Sequence, residues 1–319
     1  MVTRALSLLL ALAGFAFPGS AVAQPDLTRR MAATVADTGV AGYRFESLAI
    51  PARQGGHGYR LRVAVPERAP PRAGFPVAWL LDGNAALMDL QADTLQKLAA
   101  SPSPPVLVFV AHDNDLRIDA DARAYDYTPR RPGGEEAQRD PMGTRRNGGA
   151  DEFLALLVGE ARARVAALAP LDAQRHALWG HSYGGVFVLH VLFTRPQSFA
   201  CYGAADPSLW WGDGYLLKEA ANAVAWTSPA PRLRLWFGKA DAVQKQPERE
   251  ATAARGSDAV DAMRRARQSV PADAGERLAE RLRMRGMQVD VEVLAGLSHG
   301  QTLGASLPSF LDAVAGAAP

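Results

Sequence analysis

Residues 176–190 read His-Ala-Leu-Trp-Gly-His-Ser-Tyr-Gly-Gly-Val-Phe-Val-Leu-His. The apolar run Ala177-Leu178-Trp179 ends at Gly180, Ser182 and Gly184 complete a G-x-S-x-G pentad, and helical apolar spacing begins at Val186, Phe187, Leu189, Val191 and Leu192. Strand, sharp turn, helix is the context in which a serine hydroxyl is presented as a nucleophile on a strained bend. Gly180 and Gly184 are expected to let strand and helix cross closely, because a Cβ at either position would clash. The amphipathic helix that follows aims its first N–H groups at the site, where an anionic intermediate finds donors in place. The competing reading is a chance pentad in a chain with 29 glycines. The apolar strand before it and the helix after it favour the nucleophile.

A chain of 319 residues, 48% of them hydrophobic, buries one large core, and α/β folds of this size often form one domain. The net charge of +2 gives no suggestion of bulk nucleic-acid binding. Cys201 is the one cysteine, so no intramolecular disulfide forms and the thiol is expected to be a buried small hydrophobe. No cysteine–histidine spacing suggests zinc, and no other metal or cofactor motif is present. At the N-terminus, Arg4, an apolar stretch over residues 5–17 and Ala21-Val22-Ala23 read as a signal peptide over residues 1–23, with the mature domain, 24–319, starting at Gln24. An uncleaved anchor is the alternative, but the apolar stretch is shorter than the ~20 residues that a spanning helix needs. Export of a protein with a lone cysteine points to a bacterial periplasm.

Strands are expected over residues 45–50 and 59–65, paired antiparallel through a turn at Gly55-Gly56-His57-Gly58, with His57 a solvated loop residue. Residues 77–81 and 105–111 are apolar without alternation, the mark of strands covered on both faces. The first of these stops at Asp82-Gly83-Asn84, where a hydrolase of this architecture finds an oxyanion donor. The backbone N–H of Gly83 or Asn84 is assigned that role, with the N–H of Tyr183 as its partner; a plain turn is the competing reading. Residues 112–150 are polar, rich in arginine and without a firm element. Set between a central strand and the helix before the pentad, they read as a lid presenting cations to an anionic substrate, or as a solvated loop. A helix is expected over 151–168, started near Asp151, and a strand over 199–204. That strand leads into Asp206-Pro207-Ser208-Leu209-Trp210-Trp211, where one tryptophan would line the substrate pocket and the other pack inward, or both would be core. Residues 232–237 and 289–294 are the last two strands, with charged helices over 248–285 and a terminal amphipathic helix.

The order of elements is then serine after the fifth strand, acid after the seventh and histidine after the eighth, as in the α/β-hydrolase fold. His299, in the Gly-flanked loop after the last strand, is the candidate general base, since histidine titrates near neutral pH. Asp241 is the candidate acid; Glu248 and Glu250 are rivals, and a Ser–His dyad without an acid is a further alternative. The implied architecture is a mostly parallel eight-stranded sheet with helices on both faces and an arginine-rich lid.

Leu80-Leu81-Asp82-Gly83-Asn84-Ala85, Arg123-Ala124-Tyr125-Asp126-Tyr127-Thr128-Pro129, Gly148-Gly149-Ala150-Asp151-Glu152-Phe153, the serine pentad and Leu297-Ser298-His299-Gly300 together resemble the esterase-D-like α/β-hydrolases. Within these they are most similar to the periplasmic trilactone siderophore esterases, which act on enterobactin and salmochelin. The resemblance runs from about residue 43 to the C-terminus, and the Arg123–Pro129 run is its most specific part. It implies attack of Ser182 on a lactone carbonyl, with His299 carrying the proton. It also implies an anionic catecholate substrate, iron-loaded or iron-free, met by Arg123, Tyr127 and Arg130 of the lid together with Trp210 and Trp211. Two other functions remain open: a general exported carboxylesterase for acyl-sugar or feruloyl esters, and a catalytically idle hydrolase fold that binds a ligand.

Overall fold

A computed structural model describes residues 28–52, 56–140, 145–226, 228–240 and 257–316. Eight strands form one sheet: β1 (Tyr43–Ile50), β2 (Tyr59–Pro66), β3 (Phe75–Leu80), β4 (Val106–His112), β5 (Leu171–His181), β6 (Cys201–Ala205), β7 (Arg232–Lys239) and β8 (Gln288–Ala295). Their spatial order is β1-β2-β4-β3-β5-β6-β7-β8. β1 pairs antiparallel with β2, and β2 antiparallel with β4, in registers such as Tyr43↔Pro66 and Val63↔Val108. All later pairs are parallel. Every residue of β3 and β4 is buried, as expected of apolar runs that are covered on both faces. One apolar cluster packs beneath the helix that follows the serine, around Phe153, Phe187 and Leu192; the other lies under the C-terminal helix, around Trp179, Leu307 and Phe310. This is an α/β-hydrolase fold.

Three local expectations need correction. The helix after the pentad, Tyr183–Thr194, is not amphipathic: it is buried from Gly184 to Phe193, because sheet and lid enclose it. The stretch before β5 is Ala150–Leu156 and Arg162–Ala166 joined by a π-helical turn, Leu157–Ala161. Residues 112–150 are also more ordered than their composition suggests. They hold a helix, Ala120–Asp126, whose first turn is capped by the Asp119 carboxylate accepting from the Asp121 and Ala122 N–H groups, and a 3₁₀ turn, Glu135–Gln138. That helix is anchored at its far end, where buried Asp126 accepts from Tyr59 Oη and meets His112 Nε2, both at 2.8 Å.

The leader expected over residues 1–23 lies outside the described residues, among which no helix is long and apolar enough to cross a membrane.

Candidate active site

β5 delivers Ser182 in a conformation that a side chain rarely adopts, with φ 58° and ψ −112°. The bend is held from three sides: Ser182 N–H donates to the Ala205 carbonyl at 3.0 Å, and its own carbonyl accepts from Val186 N–H at 3.0 Å and Ser208 N–H at 3.2 Å. A Cβ on Gly180 would stand 2.5 Å from the backbone of Gly184, so glycine is required there. At Gly184 a Cβ would meet nothing closer than 3.7 Å, contrary to the sequence expectation. The second glycine that close approach demands is Gly185, where a Cβ would lie 2.9 Å from Pro207.

His299 follows β8 and reaches back across the sheet edge to set Nε2 3.0 Å from Ser182 Oγ. Its loop is tied down through its own carbonyl, which accepts from Thr302 Oγ1 and from His181 Nε2, both at 2.7 Å. His181 is therefore the tautomer protonated on Nε2. Burial, reinforced by the neighbouring His299, holds its pKa well below the usual histidine value and keeps it neutral. The far nitrogen of His299, Nδ1, lies 3.1 Å from Asp206 Oδ2. Asp206 caps β6 at φ 41° and is fixed by its N–H donating to the Trp236 carbonyl at 2.7 Å. Gly238 makes room for this meeting, since a Cβ there would come within 2.8 Å of the Leu297 carbonyl and 3.2 Å of Asp206 Oδ2. Asp241, Glu248 and Glu250 lie outside the described residues. The carboxylate beside the imidazole was thus missed by reasoning from the sequence, and so were His181 and Ser208. A positive φ at Asp206 was the structural signal, and Asp-Pro-Ser carries no hint of it beyond turn chemistry.

Gly83 and Asn84 open the helix Gly83–Asp89 directly after β3, and Tyr183 opens the helix after the serine, so the backbone N–H groups of both first turns lack intrahelical acceptors. Gly83 has no choice of side chain: a Cβ would lie 2.5 Å from the backbone of Phe109. The Asn84 amide is spent on the carbonyls of Asn114 and Leu116, which leaves only its main-chain N–H for a ligand. Asp82, the left-handed residue before this helix, is gripped by Arg123, whose Nε and Nη2 donate to its two oxygens at 2.9 and 2.8 Å. Arg123 Nη2 also donates to the His181 carbonyl at 3.0 Å, and Tyr127 Oη accepts from Asp82 N–H at 3.1 Å.

These contacts correct the expected substrate clamp. The guanidinium of Arg123 is matched by Asp82 and lies between the rings of Tyr127 and Tyr183, while Tyr127 is buried to 1% exposure among Phe153, Phe187 and His112. Both residues tie the loop after β3 to the serine turn and face the protein, because the low-dielectric interior rewards a two-point Arg–carboxylate fit. Trp211 packs inward with its Nε1 on Asn147, whereas half-buried Trp210 lies against Tyr183 beside the serine. Most lid arginines are already paired: Arg117 with Asp89, Arg145 with Asp121, and Arg131 with the carbonyl of Arg139. Arg130 remains exposed, with Glu135 at 3.5 Å as its partner.

Two hollows, of about 830 and 650 Å³, lie at the opposite edge of the sheet, and neither is lined by Ser182 or His299. The candidate site is open instead, with the His299 side chain 42% exposed.

A serine on a strained strand–helix bend and an imidazole within reach of its oxygen define a hydrolase of the α/β class. Residues 54–296 match the family model described as "Putative esterase", and the chain belongs to that esterase family. Over 193 residues it is 37% identical to an apo-salmochelin esterase of Escherichia coli O6:H1, covering 60% of this chain and 59% of the relative. It is 36% identical over 173 residues to a siderophore triacetylfusarinine C esterase of Aspergillus fumigatus, covering 52% and 56%. The chain thus spans less than two thirds of the length of these curated relatives. Among solved structures, the enterobactin and salmochelin hydrolase IroE is similar with a TM-score of 0.66 at 28% identity, over 89% of this chain and 99% of that one. The siderophore hydrolase EstA from Aspergillus nidulans is similar with a TM-score of 0.64 at 28% identity, over 85% and 94%.

Proposed function

We propose that this chain is a serine esterase that hydrolyses the ester bonds of a cyclic catecholate trilactone siderophore. The observation that carries the chemistry is the 3.0 Å approach of His299 Nε2 to the strained Ser182 hydroxyl. The substrate class follows the printed names of the relatives, and the exposed site suits a bulky macrocycle better than a buried tunnel would.

In this reading Ser182 Oγ bonds to a lactone carbonyl carbon while its proton passes to His299 Nε2. The carbonyl oxygen becomes an oxyanion, met by the N–H groups of Tyr183 and of Gly83 or Asn84, each worth about 3 kcal/mol of transition-state stabilisation. The carbon–oxygen bond to the seryl alcohol then breaks, and His299 returns the proton to that oxygen. Water, deprotonated by His299, attacks the acyl-enzyme and frees Ser182. Asp206 takes the role that the sequence reading gave Asp241, holding Nδ1–H and stabilising the imidazolium. Trp210 and Tyr183 offer an aromatic shelf beside the serine, and exposed Arg130 contributes to the field that draws in a polyanion, iron-loaded or not. The leader expected over residues 1–23 would place this activity in the periplasm, and N-terminal sequencing of exported protein starting at Gln24 checks that.

The test is mass spectrometry of products from the purified protein with enterobactin, run beside a short p-nitrophenyl ester. Linear trimer, dimer or monomer from wild type and none from Ser182→Ala is expected. Turnover of the p-nitrophenyl ester with no lactone opening would make the protein a general carboxylesterase. No labelling by a fluorophosphonate would leave it an idle fold.

A further inference from the structure

We propose that Ser208 is a further catalytic residue: its hydroxyl donates a hydrogen bond to Ser182 Oγ and stabilises that oxygen whenever it carries charge. This deepens the serine-esterase reading above and rests on it.

Ser208 Oγ lies 3.2 Å from Ser182 Oγ, and its side chain is buried, with the residue 2% exposed. Its backbone is pinned on both sides, the N–H donating to the Ser182 carbonyl at 3.2 Å and the carbonyl accepting from Trp211 N–H at 2.9 Å. Its hydroxyl has no other hydrogen-bond partner among the described residues.

The direction of the bond follows from counting protons. A carboxylate only accepts, so Asp206 Oδ2, 3.1 Å from Nδ1 of His299, favours the tautomer that carries the imidazole proton on Nδ1. Nε2 is then an acceptor, and the single Ser182 proton points at it across 3.0 Å. Ser182 has none left for Ser208, so Ser208 is the donor. It keeps its own proton throughout the cycle and exchanges no bond.

Two steps benefit. When Ser182 attacks, its proton moves to His299, and Oγ carries partial negative charge until the bond to carbon passes that charge to the carbonyl oxygen. When the acyl-enzyme is hydrolysed, the carbon–Oγ bond breaks, Oγ leaves with the electron pair, and His299 returns a proton to it. A fixed donor at Oγ serves both, whereas the oxyanion N–H groups serve only the carbonyl oxygen. A donor built into a buried turn also needs no reorientation as the charge appears.

The experiment is burst kinetics with a p-nitrophenyl ester on the full chain, resolving acylation and deacylation, with thermal melting as a control for folding. Ser208→Ala is expected to slow both phases about 10- to 100-fold, the span of one hydrogen bond to a charged group. Ser208→Cys, which fills the same space with a much weaker donor, is expected to be slow in both phases as well, and serves in place of Ser208→Ala if the latter unfolds. Wild-type rates in the cysteine variant would mean that the hydroxyl only fills space, and would overturn the proposal. So would an alanine variant as fast as wild type, or one slowed in acylation alone. A wild-type protein that forms no acyl-enzyme on Ser182 would instead overturn the esterase reading itself.

Discussion

The two edges of the sheet differ in a way that cavity size conceals. At the edge where the parallel strands begin, hollows of about 830 and 650 Å³ open between ordinary loops, lined by residues such as Arg72, Asp172 and Arg175. At the edge where they end the backbone is strained. Four non-glycine residues have positive φ among the described residues, and three of them, Asp82, Ser182 and Asp206, terminate the neighbouring strands β3, β5 and β6. A backbone held in such conformations costs of order 1–3 kcal/mol per residue and persists only where its surroundings over-determine it. Here each is over-determined: Asp82 by Arg123 and Tyr127, Ser182 by Ala205 and Ser208, Asp206 by Trp236. The cost is concentrated around the candidate site, and among the described residues the edge with the hollows carries none of it.

The largest effect that would sharpen this contrast is on Asp206. Its change to Asn should lower kcat by roughly 10²–10⁴-fold, the span expected when an imidazole loses its orienting carboxylate. The same change at Asp241 is the direct comparison in one assay, and a larger loss there would return the acid to its position after β7. Next comes Arg123→Ala, which leaves the Asp82 carboxylate buried and unpaired. Denaturant melts should show a loss of about 3–5 kcal/mol, against at most about 1 kcal/mol for breaking the exposed Lys97–Asp312 pair at the other edge. Equal losses would deny the two edges their difference.

The smallest effect concerns pH. His190, buried within the helix after the serine, has Nδ1 3.0 Å from both oxygens of Glu219, with Asp151 at a looser 3.7 Å from Nε2. Burial works against its charge, but these carboxylates outweigh burial and raise its pKa to about 9. The folded state therefore holds its proton more tightly than the unfolded chain, whose histidine titrates near 6.5. The stabilisation is whole below pH 6.5 and is lost as pH climbs to about 9, amounting to no more than about 3 kcal/mol. Glu219→Gln should flatten the pH dependence of stability across that window, as followed by thermal melts.

What could be read from the sequence was whatever is local or periodic. All eight strands, the serine bend and the position of His299 follow from apolar runs and the glycines that interrupt them. What escaped depends on partners far apart in the chain. Arg123 reads as a free cation until Asp82, 41 residues earlier, is folded against it. Tyr127 reads as a ligand for substrate until Phe153 and Phe187 close over it. Asp206 looks like the start of a turn because its reach to Nδ1 depends on β6 and β8 lying on the same side of β5, with β7 between them, which no spacing rule encodes. The lid was misjudged for a related reason. Its charges suggested solvent exposure, yet they satisfy one another and its Asp119-capped helix.

Asp206 and Ser208 stand two residues apart on one short turn, with Pro207 wedged against Gly185 between them. Carboxylate and hydroxyl are therefore placed together, and an insertion or deletion of one residue in that turn would misplace both at once. Change within that turn is therefore tightly constrained, whereas exposed Arg130, held among the described residues only by Glu135 at 3.5 Å, can vary without touching it.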